Sequence, residues 1–466
     1  MDTERQTMDP VPQSAQAPQS ADAAPQSADA APRPAGNRRQ SARARAVRNR
    51  KWVNLRLFLI FLLSAALLGL LRLTGGTRTF SDQENRSLAQ LPSFSLSAAA
   101  DGSFFSGLDS WFSDQFPGRD GWISRHLTEL RLLGSKQSGD VYLGRDGWLL
   151  SEPKTPDPAA VTAVAEAVNR FAAAHSELQL YTMFVPGAAS ILSDRLPAGA
   201  PVRDQEADLR ELEGRLDSRI RVLDSASPLR AAAEEYIYYK TDHHWTSDGA
   251  YRVFLANRAA MGLQEGLSYR RVLLSNSFQG TLSSRSGSHS AADEIAAYLP
   301  EDDTVQYYVS YDGSPERVCS VYNSAALEEK DQYTVFFGGN HGTVEIRTTV
   351  HNGRSLLVFK DSYANCFIQF LLPCYERIVL VDPRYYYGSM GQILNFGFTD
   401  VLFLYSGDTI LTDASLADVL DTDLPAEQEA PAQTEPGETA AQTDTGETAA
   451  QTDTGETAAQ TASSDG

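Results

Sequence analysis

Ser355-Leu356-Leu357-Val358-Phe359-Lys360-Asp361-Ser362-Tyr363-Ala364-Asn365 joins an unbroken apolar run to a polar turn. Consecutive apolar positions bury both faces of a strand, the habit of parallel strands covered by helices. The runs at 377–382 and 401–405 repeat this pattern, as does 178–185 upstream, which ends in Pro186-Gly187. Between them, 159–176 and 204–217 have helical composition and period, and 220–223 reads as a short strand. The alternation predicts an α/β fold, a three-layer sandwich with a mostly parallel sheet. In such sheets the site lies beyond the carboxyl ends of the strands. Ser362 falls there, ahead of an expected helix over 363–372 whose first amides would face an oxyanion. The simpler reading makes Asp361 or Ser362 a helix cap.

A second polar stretch offers a base. Lys240-Thr241-Asp242-His243-His244-Trp245-Thr246-Ser247-Asp248-Gly249-Ala250-Tyr251 holds two of the seven histidines. In an extended segment Asp242 and His244 share a face and His243 points away. A carboxylate beside an imidazole fixes its tautomer and stabilises the imidazolium, as a base serving a serine or water requires. Downstream, Ser247 is the expected N-cap, with Tyr251 and Phe254 on the buried stripe. Asp-x-His is also a common structural arrangement, and Trp245 suits core packing as well as sugar stacking. Asp242, His243, His244 and Asp248 are metal-ligand types, but adjacent histidines are expected to diverge, and no second Cys or His cluster completes a set. No metal or cofactor is expected.

The formal net charge is −20, with +5 on residues 1–56, −11 on 421–466, and −14 on the remainder. A nucleic-acid backbone needs a concentrated positive surface, so the charge argues against that partner. The basic cluster Arg38, Arg39, Arg43, Arg45, Arg48, Arg50, Lys51 and Arg56 abuts an uncharged run at 57–71, so it reads as a topology signal. An anchor over 53–73 is expected, uncleaved in preference to a signal peptide. The N-terminus is then cytoplasmic and the main domain extracellular, a single-pass cell-membrane protein. Residues 1–52 are rich in Ala, Pro, Gln and Ser, and 434–460 is three acidic nonapeptides; both are expected to be disordered. Three cysteines permit at most one internal bridge.

The expected division is thus 1–52, an anchor at 53–73, a membrane-proximal segment at 74–150, a main domain at 151–420 and a tail at 421–466. Within the membrane-proximal segment, Phe104, Phe105, Leu108, Trp111 and Phe112 recur at helix spacing, and 141–150 has the form of a hairpin turning at Arg145-Asp146-Gly147. The Ser- and Gly-rich stretch 279–293 reads as a surface loop. Tyr307, Tyr308, Tyr311 and Tyr322 read as strands of an insertion, and 344–348, between His341 and His351, as part of a hairpin.

Thr241-Asp242-His243-His244-Trp245-Thr246 with Gly249-Ala250-Tyr251 resembles the signature of the DHHW family, similar to alginate O-acetyltransferase proteins with SGNH-hydrolase-like domains. The likeness extends to Glu84-Asn85-Arg86-Ser87-Leu88, Phe116-Pro117-Gly118-Arg119, Phe336-Phe337-Gly338-Gly339-Asn340, Lys360-Asp361-Ser362-Tyr363-Ala364-Asn365 and Asp382-Pro383-Arg384-Tyr385-Tyr386. The resemblance implies Ser362 as nucleophile, His244 as base and Asp242 as its orienting acid. Lys360 stands where those relatives have the glycine of Gly-Asp-Ser, next to the expected oxyanion hole. Asn340 resembles an oxyanion-hole asparagine, with a turn as the alternative. Asn365 and Trp245 join it as weaker oxyanion or substrate candidates, and Arg384 is a candidate anion contact with an ion pair as its alternative. The implied activity is O-acetylation of a cell-surface or exopolysaccharide through an acyl-serine, the acyl group passed outward by a membrane-bound O-acyltransferase. A carbohydrate esterase with the same triad, and a silent carbohydrate-binding or assembly module, are the alternatives.

Overall fold

The computed structural model describes residues 36–423 apart from 75, 82, 85, 302 and 303. The expected disorder of 1–35 and of the repeat tail from 424 lies outside the described residues. The described residues form two compact units, one containing 36–79 and 88–119, the other containing 80–87 and 120–423.

In the first unit, α1 (Gly36–Thr74) is a single helix. It begins inside the segment expected to be disordered, because Arg, Ala and Gln over 38–46 are good helix formers. Val47–Arg72 is the one helix among the described residues long and apolar enough to cross a membrane. Its 26 residues rise about 39 Å, against a hydrocarbon core of about 30 Å. A short helix Leu96–Ala100 precedes the aromatic-rich helix Ser103–Asp114, whose Asp114 side chain accepts from Ala89 N–H at 2.8 Å.

The second unit is a three-layer α/β/α sandwich, as the apolar runs predict. Its central strands are β1 (Gln179–Val185), β2 (Arg221–Val222), β3 (Tyr307–Tyr311), β4 (Thr343–Thr348), β5 (Ser355–Lys360), β6 (Arg377–Val381) and β7 (Asp400–Ser406). Their order is β3-β4-β6-β5-β7-β1-β2. The five strands from β6 to β2 are parallel, whereas β4 pairs antiparallel with β6 and β3 antiparallel with β4. The tyrosine-rich strand and 343–348 thus extend the main sheet, correcting the insertion and hairpin readings. Alternation alone does not reveal which neighbour an edge strand takes.

Alternate residues of each central strand face opposite layers. Leu357, Phe359, Val379, Val401 and Phe403 pack under α2 (Pro158–Ala174) and α3 (Gln205–Glu213), where Phe359 and Phe403 stack with centroids 5.2 Å apart. Leu356, Val358, Ile378, Leu402 and Leu404 face the other layer, against Trp245, Val253, Phe254 and Phe370. That layer includes α4 (Ser247–Asn257), capped by Thr246 and not by Ser247. Thr246 Oγ1 accepts from Gly249 N–H at 3.1 Å. The hairpin at 141–151 turns at Arg145–Gly147, with Asp146 left-handed (φ 53°), and belongs to this unit. All three cysteines are free.

Phe359→Ala removes a fully buried ring from the middle of the sheet. It is expected to lower the unfolding free energy by about 3–5 kcal/mol, read from the denaturation midpoint.

Candidate active site

The Asp242-His244 segment is a tight turn, not the extended strand expected. Tyr238 and Trp245 form an antiparallel bridge, which closes 239–244 into a loop. Asp242 Oδ1 accepts from His244 N–H at 3.1 Å, an Asx turn that brings the His244 ring back over the carboxylate. Asp293 fastens the base of the loop. Its buried carboxylate accepts from Lys240 N–H (2.8 Å), Thr241 N–H (2.7 Å), Thr241 Oγ1 and Tyr236 Oη. Burial raises the Asp293 pKa, and these donors oppose the shift.

The turn brings Asp242, His244 and Ser362 into one line. His244 Nδ1 lies 2.5 Å from Asp242 Oδ1, and His244 Nε2 lies 2.8 Å from Ser362 Oγ. A carboxylate only accepts, so Nδ1 carries the hydrogen and Nε2 presents its lone pair to the Ser362 hydroxyl. Asp242 is 1% exposed, His244 5%, and Ser362 half-buried. Burial alone would raise the Asp242 pKa. The adjacent His243 and His244 outweigh it, aided by Thr281 N–H, and hold the carboxyl well below its ordinary range.

Ser362 sits beyond the carboxyl end of β5, where the sheet topology predicts it. The α-helix expected over 363–372 is replaced by two short 3-10 turns, Ser362–Cys366 and Ile368–Phe370. Asp361 caps the first, accepting from Tyr363 N–H at 3.0 Å, and its second oxygen accepts from Ser406 N–H (3.0 Å) and Ser406 Oγ (2.6 Å). That pair of contacts pins the serine turn to the end of β7.

The weaker candidates separate from the triad. Trp245 is fully buried, donates to Tyr363 O at 2.8 Å and stacks on Phe367, so no face is left for a sugar. Asn340, Asn365 and Arg384 belong to one network around the buried Lys360. Its ammonium donates to Asn365 Oδ1 (2.9 Å) and Asn340 Oδ1 (3.2 Å) and lies 3.4 Å from Asp382 Oδ2. Arg384 forks onto the same Asp382 at 2.8 and 2.7 Å. Burial lowers the Lys360 pKa, with Asp382 opposing. The lysine therefore braces the ends of β5 and β6, and its charge is turned away into this network.

Sequence reasoning missed three supports. Thr281 holds Asp242 Oδ2 through its N–H (2.8 Å) and its hydroxyl (3.1 Å). Gly280 backs the carboxylate so closely that a Cβ there would lie 2.3 Å from Asp242. Tyr333 stacks on His244 (3.9 Å, 11°) and donates to Ser362 O at 3.0 Å. The first two lie in the stretch expected to be a surface loop. It instead forms the helix Thr281–Ser286, with Leu282, Ser283, Ser284 and Ser286 buried, and Ser283 Oγ and Ser286 Oγ donate within the segment, to Ser288 O and Leu282 O.

Asp242, His243 and His244 each offer a metal-ligand atom within 4.8 Å of the others. This corrects the expected divergence of the histidines, whose rings lie 3.9 Å apart because the chain turns between them. The same atoms already hold one another: both His244 nitrogens are engaged, and His243 Nδ1 lies 2.7 Å from Thr281 Oγ1.

A serine oxygen, an imidazole lone pair and a buried ionised carboxylate in this order are the parts of a serine acyl-transfer site. The fold is SGNH-hydrolase-like: residues 141–270 match the family model described as SGNH hydrolase-like domain, acetyltransferase AlgX. Residues 84–139 match the DHHW protein model. Among solved structures, the chain is similar to a DHHW family protein from Eubacterium siraeum, with 24% identity and TM-score 0.51, covering 59% of this chain and 93% of that one. It is also similar to Bacillus cereus PatB1 with a sulfonyl adduct, with 20% identity and TM-score 0.50, covering 59% and 97%. No curated protein matches. Ser362 lies outside both family-model matches, so its place in the site rests on geometry.

The Asp242 pKa lies below its unfolded value, so the stability it contributes is complete above about pH 4 and is lost as pH falls further. Asp242→Asn is expected to flatten the fall in urea midpoint between pH 5 and pH 2.5. Equal slopes in both proteins would contradict the ionised-carboxylate assignment.

Proposed function

We propose that this protein is a membrane-anchored extracytoplasmic O-acyltransferase that acetylates a cell-surface or exopolysaccharide through an acyl-serine. The observation that carries this reading is the Asp242–His244–Ser362 line, at 2.5 and 2.8 Å. His244 Nε2 takes the Ser362 proton as Oγ attacks the acyl carbonyl, and returns it to the departing donor alcohol. A sugar hydroxyl then attacks the acyl-serine and gives its proton to His244. Collapse forms the sugar ester and restores the serine hydroxyl. Ser362 N–H, first in its 3-10 turn and so without an intrahelical acceptor, is assigned as an oxyanion donor.

Residues 53–73 of α1 serve as the anchor, with the basic residues from Arg38 to Lys51 on the cytoplasmic side. In this reading 1–52 is cytoplasmic, 53–73 spans, the rest lies outside, and 421–466 is an acidic tail. Acetyl-CoA is not supplied outside, so a membrane-bound O-acyltransferase passes the acyl group across. Anchoring raises the effective concentration of one for the other. Water in place of the sugar gives the esterase reaction with the same groups.

Ser362→Ala is expected to lower p-nitrophenyl acetate turnover by at least about 10³-fold, and to abolish labelling by a sulfonyl fluoride found on Ser362 by peptide mass spectrometry in the wild type. Unchanged turnover in this variant would overturn the acyl-serine reading. Deleting 57–71 is expected to move the protein from the carbonate-washed membrane fraction to the soluble fraction.

A further inference from the structure

The hydrogen bonds around Asp242 assign the tautomer of a histidine that the triad does not use. Asp242 is ionised and accepts only, so Thr281 Oγ1, 3.1 Å from Oδ2, gives its single proton to the carboxylate. A lone pair of the same oxygen then faces His243 Nδ1 at 2.7 Å, which must carry the hydrogen. Desolvation, then the neighbouring His244, push the His243 pKa down to about 4, so the ring is neutral near pH 7. Its Nε2 consequently holds a lone pair.

His243 lines a crevice of about 40 Å³ together with Ser151, Tyr363, Ser406 and Asp408. That space is enough for a few groups the size of a water molecule, such as hydroxyls of an acceptor. Among the described residues no Lys or Arg lines it. Lys154, the cation whose charge reaches His243, is exposed on the chain beyond Pro153. Gln205, also in the lining, is committed: its Nε2 donates to Asp408 Oδ1 at 2.6 Å and its Oε1 accepts from Gly187 N–H at 2.8 Å. An entering hydroxyl can donate to the imidazole lone pair, whereas a carboxylate or phosphate oxygen would set lone pair against lone pair beside the Asp408 carboxylate.

We propose that His243 Nε2 positions the acyl acceptor by accepting a hydrogen bond from one of its hydroxyls, and that the crevice selects a neutral polyhydroxyl acceptor over one bearing carboxylate or phosphate. The inference rests on the acyl-transfer reading of the triad. His243 is a positioning residue for the acceptor, while His244 remains the base.

The test exploits the two halves of the imidazole. His243→Asn keeps an N–H near the Nδ1 position and loses the Nε2 acceptor; His243→Gln places an amide oxygen near Nε2 and loses the N–H toward Thr281. The full-length chain in nanodiscs is given p-nitrophenyl acetate as donor and either a neutral hexose tetramer or the matched hexuronate tetramer as acceptor, with acetylated product read by mass spectrometry. For the neutral acceptor, KM is expected to rise about tenfold in His243→Asn and clearly less in His243→Gln, with kcat moving less than KM. In the wild type, KM for the uronate is expected to exceed that for the neutral tetramer by at least about tenfold. A role confined to the Thr281 contact reverses the order of the two variants and overturns the proposal, as does equal use of both acceptors. If no acceptor is acetylated, the acyl-transfer reading fails on its own. Calorimetric binding of the two tetramers to Ser362→Ala, with and without His243→Asn, then decides: neutral-selective binding lost with His243→Asn supports the subsite, and any other result overturns it.

Discussion

A buried carboxylate that must stay ionised organises this structure. Asp242 is withdrawn from water, so each of its oxygens needs donors from the protein. One oxygen faces the backbone and ring of His244, and the other faces the backbone and hydroxyl of Thr281. Those partners come from a turn and from a helix start well apart in the chain. Holding them together requires the Asp293 clamp beneath the turn and a glycine at 280, where a side chain has no room. The orientation of His244, and with it the hydrogen bond to Ser362, depends on that arrangement.

The sheet supplies the other half. Five parallel strands bring the ends of β5 and β7 side by side, and Asp361 ties them through Ser406. The serine therefore stands on the rigid edge of the core, while the acid and base stand on a loop bolted to it by Trp245 and Tyr333. Lys360, one residue before Asp361, is buried, and Asp382, Asn340 and Asn365 surround its ammonium. A buried charge is tolerable when its partners are built in.

In several stretches the partners that a residue meets in the fold were not visible in composition. Composition marked 279–293 as loop because its serines and glycines suit turns, yet here Ser283 and Ser286 donate to backbone carbonyls of the same segment and Leu282, Ser283, Ser284 and Ser286 are buried. Asn340, Asn365 and Arg384 carry groups suited to an oxyanion or an anion, but Lys360 and Asp382 are the partners they meet in the fold. The helix expected after Ser362 became two 3-10 turns in a stretch whose residues are almost all buried.

The sequence by itself pointed to the α/β sandwich, since unbroken apolar runs suit strands covered on both faces, and the family resemblance singled out Asp242, His244 and Ser362, which the fold places in one hydrogen-bonded line. Asp242 and His244 stand two residues apart in one turn, and Ser362 stands two residues past the end of β5. Only the tertiary structure decided that Thr281, Gly280, Tyr333 and Asp293 hold the triad, and that His243 leans on its neighbour instead of pointing away. Those contacts join distant segments whose meeting is set by strand order and loop closure, and neither leaves a periodic mark in the chain.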